Sequence, residues 1–163
     1  MAKMIDKIPD YKGEKKAWEC FSANLPQQYV VYNTRSIKGW EFDFCIMAEG
    51  VGLFIIEVKG WQANDIFNVI GEDAIILKGE ENPLPSPRKQ ARGYRFNMVN
   101  MLKQELGMNP LVMDLVCYPL ISKDDYYDKR LDVVSDETET LFKEDIEDPT
   151  LLFQKLMSRY NIN

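Results

Sequence analysis

Residues 41–61 read Glu41-Phe42-Asp43-Phe44-Cys45-Ile46-Met47-Ala48, then Glu49-Gly50, then Val51-Gly52-Leu53-Phe54-Ile55-Ile56-Glu57-Val58-Lys59-Gly60-Trp61. Two runs rich in β-branched and aromatic residues flank a Glu-Gly turn, which predicts a β-hairpin with strands over 40–48 and 51–59. Side chains alternate between the two faces of a strand. Leu53, Ile55, Glu57 and Lys59 therefore share one face, and Phe54, Ile56 and Val58 the other. On the first strand Asp43, Cys45 and Met47 share a face opposite to Phe42, Phe44 and Ile46. Both strands are apolar on both sides, so helices are expected to cover both. Setting Asp43 opposite Glu57 puts Cys45 against Ile55 and Met47 against Leu53, and implies a three-residue loop over 49–51. That register gathers two carboxylates and the Lys59 ammonium at the end of an otherwise apolar face. Like charges buried together are costly unless a cation neutralises them. A divalent metal would do so, and so would a salt-bridged trio in which Lys59 balances both acids.

Outward from the hairpin, an N-terminal helix is predicted over 11–25, with Glu14, Ala17, Trp18, Phe21 and Leu25 on one stripe and Pro26 ending it. A strand over 29–34 links the two. Downstream, a second hairpin spans 66–70 and 74–77. Ser86 as N-cap and Pro87 at the first helical position open a helix that runs to about Leu106 and stops at Gly107. The run 111–121 reads as a buried strand, and 131–134 as a further short one. A last helix after Asp148-Pro149 carries Leu152, Phe153, Leu156 and Tyr160. Helix, three or more strands, helix, strand, helix: the fold class is α/β, a central mixed β-sheet flanked by helices. At 163 residues, one domain is expected over the whole chain.

Composition narrows the chemistry. There is no histidine, so Ser-His-Asp and Cys-His triads and His-ligated zinc are excluded. Cys20, Cys45 and Cys117 are scattered and form no C-x-x-C pair, which suggests a reducing compartment, by default the cytoplasm. No apolar run approaches bilayer length, so no membrane is expected. Carboxylate oxygens suit Mg²⁺, with Mn²⁺ as its natural substitute. The net charge of −6 is unevenly spread. Arg88, Lys89, Arg92, Arg95 and Lys103 form a basic strip over 86–104, whereas 132–148 holds eight acids against Lys143 alone. The strip can meet phosphates, or both stretches can be ordinary solvated faces; no role is assigned to the acidic one.

Glu14 stands where the core-facing stripe of the first helix should be apolar, either as a first-turn acid favoured by the helix dipole or pointing into the carboxylate site. Gln90 and Tyr94, four apart on the basic helix, share a face and can hold a water or a phosphate oxygen. The succession Glu14, Asp43, Glu57-Val58-Lys59, Gln90-x-x-x-Tyr94 resembles the PD-(D/E)xK nuclease superfamily. More narrowly, Gly13-Glu14, Leu25-Pro26, Val31-Tyr32-Asn33, Glu41-Phe42-Asp43-Phe44, Ile56 to Trp61 and the Pro-x-x-Gln at Pro87–Gln90 resemble a NERD (nuclease-related) domain, over about residues 11–120. One departure is Phe42, where a proline often precedes the aspartate.

The resemblance implies a restriction-endonuclease-like αβββαβ core, with 121–163 as a C-terminal extension, and Mg²⁺-dependent DNA cleavage. It makes Asp43 and Glu57 metal ligands, with the Val58 carbonyl as a third and Glu14 acting through metal-bound water. Lys59 would orient or deprotonate the attacking water, Gln90 and Tyr94 would support water or phosphate, and Arg88, Lys89, Arg92 and Arg95 would hold the DNA. Such domains commonly accompany a helicase; no Walker-type Gly-x-x-x-x-Gly-Lys motif occurs here, so the chain is expected to be a piece of a larger helicase or a stand-alone domain. The rival expectation is a catalytically silent nucleic-acid-binding or docking module serving a helicase.

Overall fold

The computed structural model describes residues 1–37 and 40–162. In chain order the first half comprises β1 (Lys3–Met4), α1 (Lys12–Asn24), β2 (Val30–Ile37), β3 (Trp40–Ala48), β4 (Gly52–Val58), β5 (Ile66–Ile70), β6 (Ala74–Leu77) and β7 (Leu84–Pro85). Then follow α2 (Pro87–Leu106), β8 (Val112–Cys117), α3 (Lys123–Asp128), β9 (Thr140–Leu141), α4 (Lys143–Glu147) and α5 (Pro149–Ile162). Six strands form a mixed sheet in the order β1-β2-β3-β4-β8-β9, and β5-β6-β7 form a small antiparallel one. The run α1-β2-β3-β4-α2-β8 is the αβββαβ order expected.

Register follows the hydrophobic pattern. Cys45 pairs with Ile55, Met47 with Leu53 and Ala48 with Gly52, leaving the three-residue loop 49–51, in which Gly50 takes φ 79°. Phe44, Ile46, Phe54, Ile56 and Leu115 meet Ala17 and Phe21 of α1 and Leu152 and Leu156 of α5 on one face. Cys45, Ile55 and Val112 meet Met98 of α2 on the other. Helix α2 begins as the sequence predicts, with the Ser86 hydroxyl accepting from the Lys89 N–H and Pro87 at its first position.

One expectation fails locally. Residues 131–134 are no strand: Leu131–Val133 form a 3₁₀ turn entered through Arg130 at φ 59°. The buried residues there are Leu131 and Val134, spaced by three, which suits a 3₁₀ turn better than alternation. On α5, Leu152 and Leu156 are buried but Phe153, a third of a turn from Leu152, is 40% exposed. The polar Arg159 is the buried member in the last turn instead.

Candidate active site

The β3–β4 ladder gives out just where the acids begin. Its last recorded pair is Phe44–Ile56, and no Asp43–Glu57 pair follows. Across β2, the partners of Asn33 and Arg35 are Phe44 and Phe42, so Thr34 lies opposite Asp43, and Thr34 has φ 53°. Phe42 joins Cys45, Ile55 and Met98 in the α2-side cluster, while Phe44 and Ile46 join the α1 side. Strict alternation therefore breaks at Asp43, which corrects the expected placing of Phe42. The Asp43 carboxylate takes the place of a ladder partner: its Oδ2 accepts the Val58 N–H at 2.7 Å. A main-chain donor that lost its strand partner is thereby satisfied.

Glu57 is buried at 4% exposure. Its Oε1 meets Lys59 Nζ at 3.1 Å, while Oε2 is buried with no hydrogen-bond partner. Burial first, and the Asp43 charge second, push the Glu57 carboxyl well above the usual carboxylate range, against the pull of Lys59. Burial likewise raises Asp43, although the Val58 N–H and the Lys59 charge oppose it. The two acids sit close enough to compete for one proton. Lys59 Nζ also lies 5.7 Å from the centroid of the Trp61 ring, which stacks on buried Tyr118. Strand β4 and its indole neighbour thus hold the ammonium over the acids.

Glu14 arrives from α1 because two glycines let the chains touch. A Cβ on Gly13 would lie 2.6 Å from the Gly60 Cα, so only glycine permits the start of α1 to approach the end of β4 this closely. Glu14 is half-buried, and its carboxyl is raised by burial and then by the charges of Asp43 and Glu41. With Asp43, Glu41 and Asn33 it lines a cavity of about 430 Å³. Glu41 was missed by the sequence reading. Its spacing of two from Asp43 was the available signal.

From the other side α2 contributes Gln90 and Tyr94. The Gln90 Oε1 is buried without a hydrogen-bond partner. Tyr94 is pushed up to about 12, by burial first and then by the charges of Glu57, Asp43 and Glu41. Both line a groove of about 550 Å³ along α2. Of the basic strip, Lys89 and Arg92 are exposed and line this groove. Arg88 also lines it but is ion-paired to Glu139 at 3.3 Å, and Arg95 is held by buried Asp114 at 3.0 Å. Two of the four expected phosphate-binding cations are therefore ion-paired with carboxylates of this chain.

A divalent cation fits this donor set. Glu57 Oε2 has no hydrogen-bond partner, the Asp43 carboxylate stands close by, and carboxylate oxygens are hard ligands. Among the described residues no group of three Asp, Glu, Cys or His side chains converges as metal ligands. Mg²⁺ typically takes one or two carboxylates and completes its shell with water and phosphate oxygens.

Residues 9–119 match the NERD family, the nuclease-related domain, and the chain belongs to that family. No curated protein sequence matches the chain. Among solved structures it is similar to the crystal structure of a repair endonuclease from Pyrococcus abyssi, at 16% identity and a TM-score of 0.41. That alignment covers 82% of this chain and 47% of the other, so the chain spans about half the length of that neighbour.

Proposed function

We propose that this nuclease-related domain hydrolyses phosphodiester bonds of DNA with a divalent cation, Mg²⁺ or in its place Mn²⁺, held by Asp43, Glu57 and the Val58 carbonyl. The observation that carries the reading is the buried Glu57 carboxyl, which has one oxygen on Lys59 and the other without a partner, beside a second acid. A bound cation supplies positive charge to the scissile phosphate and acidifies a water. Lys59 orients the attacking water and offers a positive charge to the oxygens where negative charge grows. Asp43 is held in position by the Val58 N–H, which its Oδ2 accepts. Glu14 holds a water at the α1 side, and Gln90 Oε1 accepts from a water at the α2 side. Tyr94, kept protonated by burial and then by the nearby acids, donates to a phosphate oxygen. Lys89 and Arg92 contact backbone phosphates without reading bases.

Endonucleolytic and exonucleolytic modes are both open to such a site. We place the domain with a helicase module, in cis or in trans, in DNA processing such as repair, and in a reducing compartment such as the cytoplasm, where the three buried free thiols stay reduced.

The decisive experiment is cleavage of labelled DNA in Mg²⁺, Mn²⁺ or EDTA by the wild type and by Lys59→Ala prepared identically. The expected outcome is metal-dependent cleavage that falls by about 10²–10⁴ in the variant. Cleavage that survives the substitution would refute the site. DNA binding without cleavage under every metal would favour the docking module.

A further inference from the structure

The groove that leads from Gln90 and Tyr94 along α2 has walls of opposite character. One carries Lys89 and Arg92; the other, the turn between β5 and β6, carries Glu72 and Asp73. Phe96, which is 63% exposed, also lines the groove. Most of that ring is left without packing, so its place in one groove with two cations asks for a ligand with an apolar face and a negative backbone. Its setting is also rigid. The Arg95 guanidinium lies 6.0 Å from the centroid of the Phe96 ring and is itself fixed by buried Asp114 at 3.0 Å. Asp114, 2% exposed, is further held by Arg159 at 3.1 Å. Phe96 is therefore a flat surface backed by a fixed cation, with its outer face open to the groove.

We propose, as a step that rests on the nuclease reading, that the substrate is an unpaired DNA strand, with one base stacked on Phe96 and its phosphates along Lys89 and Arg92. Stacking on an aromatic ring needs a base free of its duplex neighbours, and every base has a π-face to offer. The acidic wall argues the same way. A duplex would bring the phosphates of its second strand toward Glu72 and Asp73, whereas a single strand keeps its one row of charges on the cationic side. Arg95 acts as a positioning residue: its charge is spent on Asp114, and its contribution is to brace the ring.

The test is fluorescence anisotropy in EDTA, where binding is read without cleavage and so succeeds or fails independently of catalysis. The ligands are a labelled mixed-sequence DNA strand, the same sequence as a blunt duplex, and the matching RNA strand. Single-stranded DNA is expected to bind more tightly than duplex. Phe96→Ala is expected to weaken single-strand binding about tenfold, leave duplex binding and the salt slope unchanged, and be rescued by Phe96→Trp. Arg92→Ala, by contrast, is expected to weaken both forms and to lower the salt slope by about 1. Preference for the duplex, no loss in Phe96→Ala, or an equal loss on both forms would overturn the stacked single strand. Tighter binding of RNA would overturn the choice of DNA.

Discussion

The central sheet buries two carboxylates that look alike in the sequence and live under opposite conditions. Asp114 on β8 is 2% exposed and Glu57 on the adjacent β4 is 4% exposed. Asp114 Oδ1 meets the guanidinium groups of both Arg95 and Arg159, at 3.0 and 3.1 Å, and Arg159 Nε also donates to the Asp114 carbonyl at 3.0 Å. That last bond fills a gap in the sheet, since β9 pairs only with Val116 and Cys117 and leaves the rest of that edge of β8 to other donors. Glu57 has one lysine, itself partly exposed, and a second acid for a neighbour. A buried charge surrounded by more than enough counter-charge is a structural tie. One left short of counter-charge stores an unmet demand that a ligand can satisfy. The same element types supply both, so the difference lies in what the neighbouring helices bring.

The sharpest way to break this contrast is to remove each acid and ask what is lost. Asp114→Ala takes their shared anion from the buried Arg159 and the partly exposed Arg95, and unfolding in urea should show a loss of about 3–5 kcal/mol. A loss below about 1 kcal/mol would mean that Asp114 is no tie. Gly13→Ala attacks the approach that brings Glu14 to the site. The new Cβ must push α1 from the end of β4, which is expected to cost about 1–3 kcal/mol and to lower cleavage as well. Full activity in that variant would separate Glu14 from the chemistry.

Glu57→Gln should act in the reverse direction to Asp114→Ala. With the like-charge conflict removed, the metal-free protein should gain up to about 1 kcal/mol at pH 8 while losing any rise in Tm on adding Mn²⁺. A destabilised Glu57→Gln protein would place Glu57 in the same class as Asp114. A further effect is expected on pH. Glu57, Asp43 and Glu14 all have raised values, so in this region the folded state binds more protons than the unfolded chain once pH exceeds about 4. Stability of the metal-free protein therefore falls as pH rises from there through the raised values, and the drop should vanish when Mn²⁺ replaces the proton. Urea midpoints at pH 5.5 and 8, with and without Mn²⁺, would show it; a metal-free midpoint that rises with pH would contradict the assigned shifts.

The sequence by itself determined the parts of this protein that depend on neighbours along the chain. The register of Cys45 with Ile55 and Met47 with Leu53 follows from apolar patterning on two strands separated by a short turn. The bounds of α2 follow from Ser86, Pro87 and Gly107, whose effects on helix ends are local. The motifs Gly13-Glu14, Leu25-Pro26, Val31-Tyr32-Asn33, Glu41 to Phe44, Ile56 to Trp61 and Pro87 to Gln90 sufficed for the family. Tertiary structure decided what depends on contacts between distant segments. The turn of Asp43 into the Val58 N–H arises because the ladder opens beside Thr34, which no alternation rule foretells. The ion pairs of Arg88 with Glu139 and of Arg95 with Asp114 arise because those acids come from segments folded against α2. Arg159 is buried, against its residue type, because β9 is too short to cover the edge of β8. Local patterning carries the free energy of one helix or hairpin, but the worth of a charge is set by everything within a few ångströms of it, and only the folded chain brings those groups together.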